Sequence, residues 1–193
     1  MGVSAGHGAY RLFDGVGLFP VATLQAMQTR PQFELAQVNV AKPLGPPGSD
    51  VLAEFMAALA PINAVADSAP GFVWRLQTEA GDATAVPVFG STEYMVNLSV
   101  WTDLESLGNF VFKSDHVEVM RRRRAWFAPM TEAYVALWWV PAGVRPTVAD
   151  AEDRLLHLRE LGPTPFAFTV RAPFPPPSAT EEISADDDWL CPA

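Results

Sequence analysis

The sequence predicts an α+β domain with the ferredoxin-like split βαβ arrangement, in which four antiparallel strands form one sheet. Strand-like and helix-like segments follow one another from residue 33 in the order β-α-β-β-α-β, with one helix and one short strand after them. Apolar residues make up 49% of the 193 residues, which is ample for one packed core. Charged residues make up only 18%, which excludes a mostly disordered chain.

The first strand and the first helix are predicted in residues 33–66. Residues 33–40 read FELAQVNV, and their alternation places Gln37 and Asn39 on one face of a half-buried strand. A Pro- and Gly-rich loop follows, after which apolar residues recur at helical spacing. Pro61 lies inside this helical pattern, so we expect the helix to kink there or to start a new turn.

Two strands and a long helical segment come next. Residues 72–79, FVWRLQTE, alternate as a strand after a Pro-Gly turn. Residues 94–101, YMVNLSVW, read as a buried strand with Asn97 and Ser99 as its polar positions. The pattern is then helical as far as Phe127, with an interruption at Ser114.

The last part of the domain is predicted to hold a strand, a helix and a short strand. Residues 134–140, YVALWWV, read as the fourth strand. Thr147 and Asp150 approximate a capping box, and they begin a helix that Gly162 ends. Residues 166–171, FAFTVR, are predicted to form a fifth strand.

Composition divides the chain into three regions. Residues 1–32 show no sustained period, so we expect a poorly ordered N-terminal extension, for which Met27 is an alternative start. Residues 33–175 form the predicted domain. Residues 176–193 form an acidic, proline-containing tail that carries −5 of the net charge of −9.

Charge and motif content exclude several classes of function. A net charge of −9 argues against general nucleic-acid binding, which needs clustered positive charge. No segment has the roughly 18 apolar residues of a membrane helix, and the start lacks a signal-peptide pattern, so we expect a cytoplasmic protein. The single cysteine, Cys191, excludes a disulfide framework. No metal-ligand spacing or phosphate-binding glycine loop is found, so we predict no metal site.

Tryptophans on the predicted strands indicate that both faces of the sheet are covered. A soluble monomer does not leave several such large apolar side chains exposed. The two helices of the split βαβ unit cover one face, so we expect a second copy to cover the other. The sequence therefore predicts a homodimer whose facing sheets enclose a cavity. The tryptophans concerned are Trp74, Trp101, Trp138 and Trp139.

Several stretches together resemble an uncharacterised bacterial family of unknown function. They include FELAQVNVAK, PGFVWRLQ, NLSVW, SDHVEVMRRRRAWF and ALWWVPAG, and the resemblance covers about residues 33–175. That family is placed in the dimeric α/β-barrel superfamily with the antibiotic-biosynthesis-type monooxygenases. The resemblance implies a ferredoxin-like protomer and a two-fold dimer. Members of the superfamily differ widely in activity, so the resemblance does not define a reaction.

His116 is the first candidate for chemistry, because it follows Ser114 and Asp115 at the predicted helix break. It could act as a general base or a haem ligand at the mouth of a cavity. The alternative is a helix-start residue that hydrogen-bonds its neighbours. In the haem-degrading members of the superfamily that the sequence resembles, the ligand histidine lies further along this helix. That position falls near Met120 and Arg121 here, which weakens the haem prediction.

Arg124 and two asparagines are the other candidates. Arg124 shares a helical stripe with Met120 and Phe127, so an inward guanidinium could bind a carboxylate or stabilise an oxyanion. The alternative is an ion pair with a nearby acid on the same helix. Asn97 and Asn39 are polar groups on apolar strands, as in many small-molecule sites, although a buried cross-strand hydrogen bond would also explain them.

The resulting hypothesis is a small-molecule enzyme, a cofactor-independent monooxygenase-type oxidoreductase that acts on an aromatic or polyketide-like substrate of secondary metabolism. The predicted catalytic residues are His116, Arg124 and Asn97. The predicted substrate-binding residues are Trp74, Trp101, Trp138, Asn39 and Met120. Three alternatives stay open: a non-catalytic ligand-binding or dimerisation module, a haem-binding enzyme, and a cyclase or isomerase.

Overall fold

The structure is a computed structural model that describes residues 31–113 and 116–178. The predicted N-terminal extension lies outside these residues except for its last two, and most of the acidic tail lies outside them as well. The elements of the described chain are β1 (Phe33–Ala41), α1 (Ala53–Asp67), β2 (Phe72–Arg75), β3 (Met95–Trp101), α2 (Leu104–Lys113), α3 (His116–Arg122), β4 (Val135–Pro141) and α4 (Val148–Leu161).

The four strands form one antiparallel sheet in the order β2-β3-β1-β4. Together with the βαββαβ order of the elements, this strand order is that of the ferredoxin-like fold, so the predicted fold class is confirmed. β1 and β3 are the two inner strands. Residues that lie opposite one another across these pairs share a face of the sheet.

One face of the sheet, called the helix face here, carries α1 and the α2–α3 segment. Its strand residues include Leu35 and Trp101, which pack with Leu107 of α2. Ala41 and Met95, at the other end of the same face, pack with Leu52 and with Phe55 of α1. Both helices of the split βαβ unit therefore pack on one face, as predicted. The residues of the helix face are Leu35, Gln37, Asn39, Ala41, Met95, Asn97, Ser99, Trp101, Val135, Leu137 and Trp139.

The opposite face, called the far face here, is covered by the same chain. Val38 and Trp138 lie on it, and they are 0% and 1% exposed. Leu155 of α4 packs against this layer, and so do Val88 and Phe89 from the connection between β2 and β3. The far face therefore needs no second copy, which corrects the argument by which the sequence predicted sheet-to-sheet dimerisation. The homodimer itself stays a prediction.

Two helical predictions can be compared directly with the structure. α1 runs through Pro61 from Ala53 to Asp67 without a break. The capping box at α4 is confirmed, because the Thr147 hydroxyl accepts from the Asp150 N–H and the Asp150 carboxylate accepts from the Thr147 N–H. No helix in the described part of the chain has the length and apolar character needed to cross a bilayer.

One strand prediction is too long and another is wrong, and local turns explain both. β2 ends at Arg75, and a turn in which the Thr78 N–H and hydroxyl both donate to the Asp82 carbonyl follows it. Residues 166–171 do not form a strand. Phe168 makes a bridge to Leu137 of β4, and the chain then turns between Thr169 and Ala172.

Candidate functional site

Four polar side chains meet in the middle of the helix face. Gln37 and Asn39 of β1 lie opposite Ser99 and Asn97 of β3, respectively. Opposite residues of an antiparallel pair have Cβ atoms about 4.5–5.5 Å apart, so the four side chains form one patch. We call Gln37, Asn39, Asn97 and Ser99 the polar floor.

Three of the four residues of the polar floor, Gln37, Asn39 and Asn97, reach solvent, although they lie on the two inner strands. Asn97 is the one exposed residue of β3, and the other residues of that strand are buried. Gln37 and Asn39 are half-buried. Hydrophobic clusters around Trp101 at one end and around Met95 at the other close the helix face on either side. The elements packed on the helix face therefore leave its middle uncovered at Asn97, and we call this opening, with the polar floor at its bottom, the cleft.

Trp101 connects the polar floor to an aromatic wall. Its indole N–H donates to the Ser99 hydroxyl over 3.0 Å, and the Ser99 hydroxyl donates to Gln37 Oε1 over 3.0 Å. The Trp101 ring stacks on Phe110 of α2, with ring centroids 5.1 Å apart, and makes a T-shaped contact with Phe72, with centroids 5.3 Å apart. The tryptophan is 1% exposed, so its position is fixed by packing on both sides.

His116 extends this aromatic wall. It is the first residue of α3, and its ring centroid lies 4.9 Å from that of Phe110. Its Nδ1 lies 3.5 Å from the Val111 carbonyl, the long limit of a hydrogen bond. A carbonyl only accepts, so Nδ1–H is the donor of this contact in the tautomer that carries its proton there.

Burial lowers the pKa of His116 below its ordinary value of 6.5, and the contact with the Val111 carbonyl opposes this to a smaller extent. The ring is therefore neutral at pH 7, as a general base must be. The predicted role of His116 stays a prediction, and the structure places it in the row of rings that leads to Trp101.

Arg124 does not point into the cleft. α3 ends at Arg122, and a 3₁₀ turn from Arg123 to Ala125 follows. A 3₁₀ turn has three residues per turn instead of 3.6, so the helical stripe that placed Arg124 inward is not continued. Arg124 is exposed, and Met120 is 41% exposed. The structure therefore does not bring Arg124 and Met120 together with Asn97, and their predicted roles stay predictions.

Arg124 and Met120 instead line an open hollow of about 440 Å³ on the outer surface. Phe127, Pro129 and Tyr134 also line it, and none of the polar floor does. The alternative prediction for Arg124 was an ion pair with an acid on the same helix. Arg121 makes such a pair, with Glu118. Three of the four arginines of the run are therefore exposed, and the half-buried Arg123 donates to the Tyr134 hydroxyl over 2.8 Å.

Trp74 and Trp138 lie on the far face and cannot line the cleft. Trp74 is paired with Val100, and Trp138 with Ala36, which places both on the side of the sheet that α4 covers. The Arg154 guanidinium of α4 lies 5.8 Å from the Trp138 ring. Of the three predicted tryptophan walls, Trp101 alone shares a face with Asn39 and Asn97.

Three residues of the site were not assigned to it from the sequence. Gln37 and Ser99 stood out as polar strand residues, and Phe110 as part of a helical apolar stripe. The i, i+2 spacing of Ser99 and Trp101 was a usable signal, because it places both side chains on one face of a strand. The contact with Gln37 depends on the β1–β3 register, which the sequence does not state.

Arg75 is another polar strand residue, and its partners are structural. It lies opposite Ser99, but its guanidinium binds the Asp67 carboxylate at the end of α1, with Nε–Oδ1 at 2.8 Å, and donates to the Gly81 carbonyl. It therefore ties α1 to the edge of the sheet. Among the residues that the structure describes, no group of His, Cys, Asp and Glu side chains could hold a metal ion.

The fold and the cleft define a ferredoxin-like α+β protein with a polar site on the sheet beneath its helices. Within that class, residues 34–185 match the family described as a domain of unknown function, DUF3291. The chain belongs to this family, which confirms the predicted membership of a family of unknown function. No curated protein sequence matches the chain.

Several solved structures are similar to the chain. SnoaB, a cofactor-independent oxygenase from Streptomyces nogalater, is 22% identical, with a TM-score of 0.40 over 59% of this chain and 95% of that one. NE2512, a protein of unknown function from Nitrosomonas europaea, is 11% identical, with a TM-score of 0.38 over 60% and 95%. PA3566 from Pseudomonas aeruginosa is 12% identical, with a TM-score of 0.37 over 57% and 95%.

Proposed function

We propose that the cleft binds a small, oxygen-bearing aromatic molecule and that the protein is a cofactor-independent oxidoreductase of the monooxygenase type. The observation that carries this proposal is the exposed Asn97 side chain on an inner strand, in register with Asn39. A mostly apolar site with a few convergent polar groups is the usual form of a small-molecule site.

The residues around the cleft suit a flat ligand with carbonyl or hydroxyl oxygens. Carboxamides both donate and accept hydrogen bonds, so Asn39 and Asn97 can orient such oxygens. The ring of His116, neutral at pH 7, would take a proton from an acidic O–H or C–H group of the substrate. The amide N–H groups would then stabilise the negative charge that forms on the substrate oxygen.

The proposed reaction converts an activated methylene group to a ketone and uses dioxygen as the oxidant. Removal of one proton gives an enolate, which reacts with dioxygen at the former methylene carbon. Loss of water then leaves the carbonyl, so R₂CH₂ and O₂ give R₂C=O and H₂O. The methylene carbon supplies all four electrons, and the balance therefore needs no external reductant.

Homodimerisation is part of the proposal, and light scattering on the full chain tests it.

A non-catalytic ligand-binding module is the second candidate, and the position of Arg124 favours it. With Arg124 exposed outside the cleft, one of the three predicted catalytic groups is missing from the site. The two candidates share the same ligand and the same cleft. They differ in whether dioxygen is consumed.

A hydroxylated anthrone, which has an activated methylene group between two aromatic rings, is a suitable test substrate. We expect the full chain to consume dioxygen and form the anthraquinone in equal amounts, and we expect Asn97→Ala to reduce the rate. Asn109→Ala, a change at an exposed asparagine of α2, is the matched control. Binding without oxygen consumption would favour the binding module, and a Soret band in the purified protein would favour the haem alternative. An anthrone that neither binds nor reacts would overturn the proposal.

A further inference from the structure

We infer that Gln37 determines which ligands the cleft accepts, because its amide N–H groups are held facing the ligand and require an oxygen acceptor there. The inference rests on the proposed small-molecule function of the cleft and adds the chemical class of the group it binds. That group is a ketone carbonyl or a phenolate oxygen on a flat aromatic ring.

The direction of the hydrogen bonds at the floor follows from the donors and acceptors present. An indole N–H can only donate, so the Ser99 oxygen accepts from Trp101 over 3.0 Å. The Ser99 hydroxyl then has one hydrogen of its own, and Gln37 Oε1 lies 3.0 Å away to accept it. All three groups are satisfied in this arrangement.

The opposite orientation of the Gln37 amide would leave one of these groups without a hydrogen-bond partner. If the amide nitrogen faced Ser99, the serine oxygen would accept two hydrogen bonds and its own hydrogen would lack an acceptor. Ser99 is 6% exposed, and among the described residues its hydroxyl has no partner besides Trp101 and Gln37. A buried hydroxyl without an acceptor is costly, so the carbonyl oxygen of Gln37 faces Ser99.

The nitrogen of Gln37 therefore faces away from Ser99. It makes no hydrogen bond to the part of the chain that the structure describes. In that part, Ser49 Oγ is the one side-chain polar atom that is both buried and without a partner. The unpaired nitrogen of Gln37 is therefore accessible to solvent. Gln37 is half-buried and lies on the same face as Asn39, two residues further along β1. Its two N–H groups are therefore available to a ligand in the cleft.

Packing keeps this donor in place before any ligand arrives. Trp101 packs between Phe72 and Phe110. Its indole N–H donates to the Ser99 hydroxyl, which in turn donates to the carbonyl oxygen of Gln37. A donor fixed by neighbours whose own positions are fixed discriminates more strongly than a mobile one. A site built to hydrogen-bond an oxygen rejects an analogue that lacks it, because the protein donor is then left unpaired.

Two probes of the same shape test the inference: anthraquinone-2-sulfonate, which carries ring carbonyls, and anthracene-2-sulfonate, which does not. We expect the full chain to bind the quinone about tenfold more tightly, as measured by calorimetry. Gln37→Leu should reduce this preference, and Gln37→Glu, which replaces the donor with an acceptor, should weaken quinone binding further. Gln77→Leu, at an exposed position after β2, is the matched control and should keep the preference.

Equal affinity of the unmodified protein for the two probes would overturn the inference and leave the proposed cleft intact. An unchanged preference in Gln37→Leu would also overturn it. Binding of neither probe would overturn both the proposed function and the inference. If the protein binds the probes but does not consume dioxygen with the anthrone, the proposed oxidoreductase activity is contradicted and the role of Gln37 in binding is not.

Nuclear magnetic resonance of the ligand-free protein tests the orientation of Gln37 independently. Ser99→Ala removes the link between Trp101 and Gln37. We expect it to shift the indole N–H signal of Trp101 and the side-chain amide signals of Gln37, while the other indole signals stay in place. Signals of Gln37 that do not move would show that Ser99 does not hold this amide.

Discussion

Asn39 and Asn97 lie directly opposite each other across the β1–β3 pair, at the level where the inner strand β3 is exposed to solvent. The residues that flank Asn97 along β3 are buried. Two carboxamides facing a cleft from the inner strands contribute little to the core, and they are well placed to hold a ligand.

Replacement of Asn97 by Ala is expected to weaken ligand binding without destabilising the protein. Substitutions at exposed positions outside the core change the free energy of unfolding by about 0.5 kcal/mol at most. Loss of one hydrogen bond to a ligand costs about 1 kcal/mol, roughly a fivefold change in affinity. Anthraquinone-2-sulfonate titration and thermal unfolding of the same preparation measure the two effects. A large drop in melting temperature with unchanged affinity would assign Asn97 to the core.

Trp138 and Trp101 are expected to differ in their effect on ligand affinity when each is replaced by Phe. Trp138 is buried beneath α4 on the far face, so Trp138→Phe should lower stability and leave ligand affinity unchanged. Trp101→Phe removes the indole donor to Ser99, so it should lower affinity as well. Full truncation of a buried Trp costs about 3–5 kcal/mol, and Phe should cost less. Equal loss of affinity in both variants would contradict the separation of the two faces.

The stability of the protein is expected to depend on pH through His116. Burial lowers its pKa in the folded state below 6.5, so the unfolded chain takes up a proton first as the pH falls. The free energy of unfolding should therefore decrease as the pH falls below about 6.5, and this contribution should level off below the folded-state pKa. Above that range His116 contributes no pH dependence.

Urea unfolding at a series of pH values measures this effect, and His116→Gln should remove it. The same curve in the variant and the unmodified protein would show that His116 is not buried in the folded state. Turnover provides the other comparison: a general base contributes roughly 10²–10⁴ in rate. Full turnover in His116→Ala on an identified substrate would exclude the proposed catalytic role.

The capping box of α4 is expected to contribute measurably to stability. Thr147→Ala removes the acceptor that the Asp150 N–H uses over 3.1 Å, which should cost about 1 kcal/mol and lower the melting temperature by about 2–4 °C. Thr147→Ser keeps the hydroxyl and should have a smaller effect. A larger loss in the serine variant would indicate that the threonine methyl group, not the cap, matters.

The stability of the protein at acidic pH is expected to depend on Asp150 of the same capping box. Hydrogen bonds from the backbone and side chain of Thr147 lower the pKa of Asp150 below its ordinary value of 3.8. The stability that this carboxylate contributes is therefore present above pH 3.8 and is lost as the pH falls through the folded-state pKa. Asp150→Asn should flatten the unfolding curve in that acidic range, as measured by urea titration.

Local sequence patterns determined the order of the elements. The alternation in FELAQVNV and the helical spacing after it depend on neighbouring residues, so β1 and α1 were predictable from the chain alone. The capping box at Thr147 was predictable for the same reason. Where a local turn competes with a strand, as after Arg75 and at Thr169, the pattern predicted more strand than the structure contains.

Alternation also determines which residues of one strand share a face, and it places Asn97 and Trp101 on the same side of β3. It did not determine that Asn39 meets Asn97, because strand register depends on pairing between distant segments. The contact between Gln37 and Ser99, on which the orientation of the site depends, follows from the same register.

Tertiary structure alone decided which side of the sheet α4 covers. The sequence predicted α4 as a helix, but its docking on the far face depends on apolar surfaces that are separated along the chain. That docking buries Trp138 away from Asn97 and makes a second copy unnecessary over the far face. The 3₁₀ turn after Arg122 likewise turns Arg124 outward. The periodicity of apolar residues defines the faces of a single helix or strand, whereas packing between elements decides which surface each face contacts.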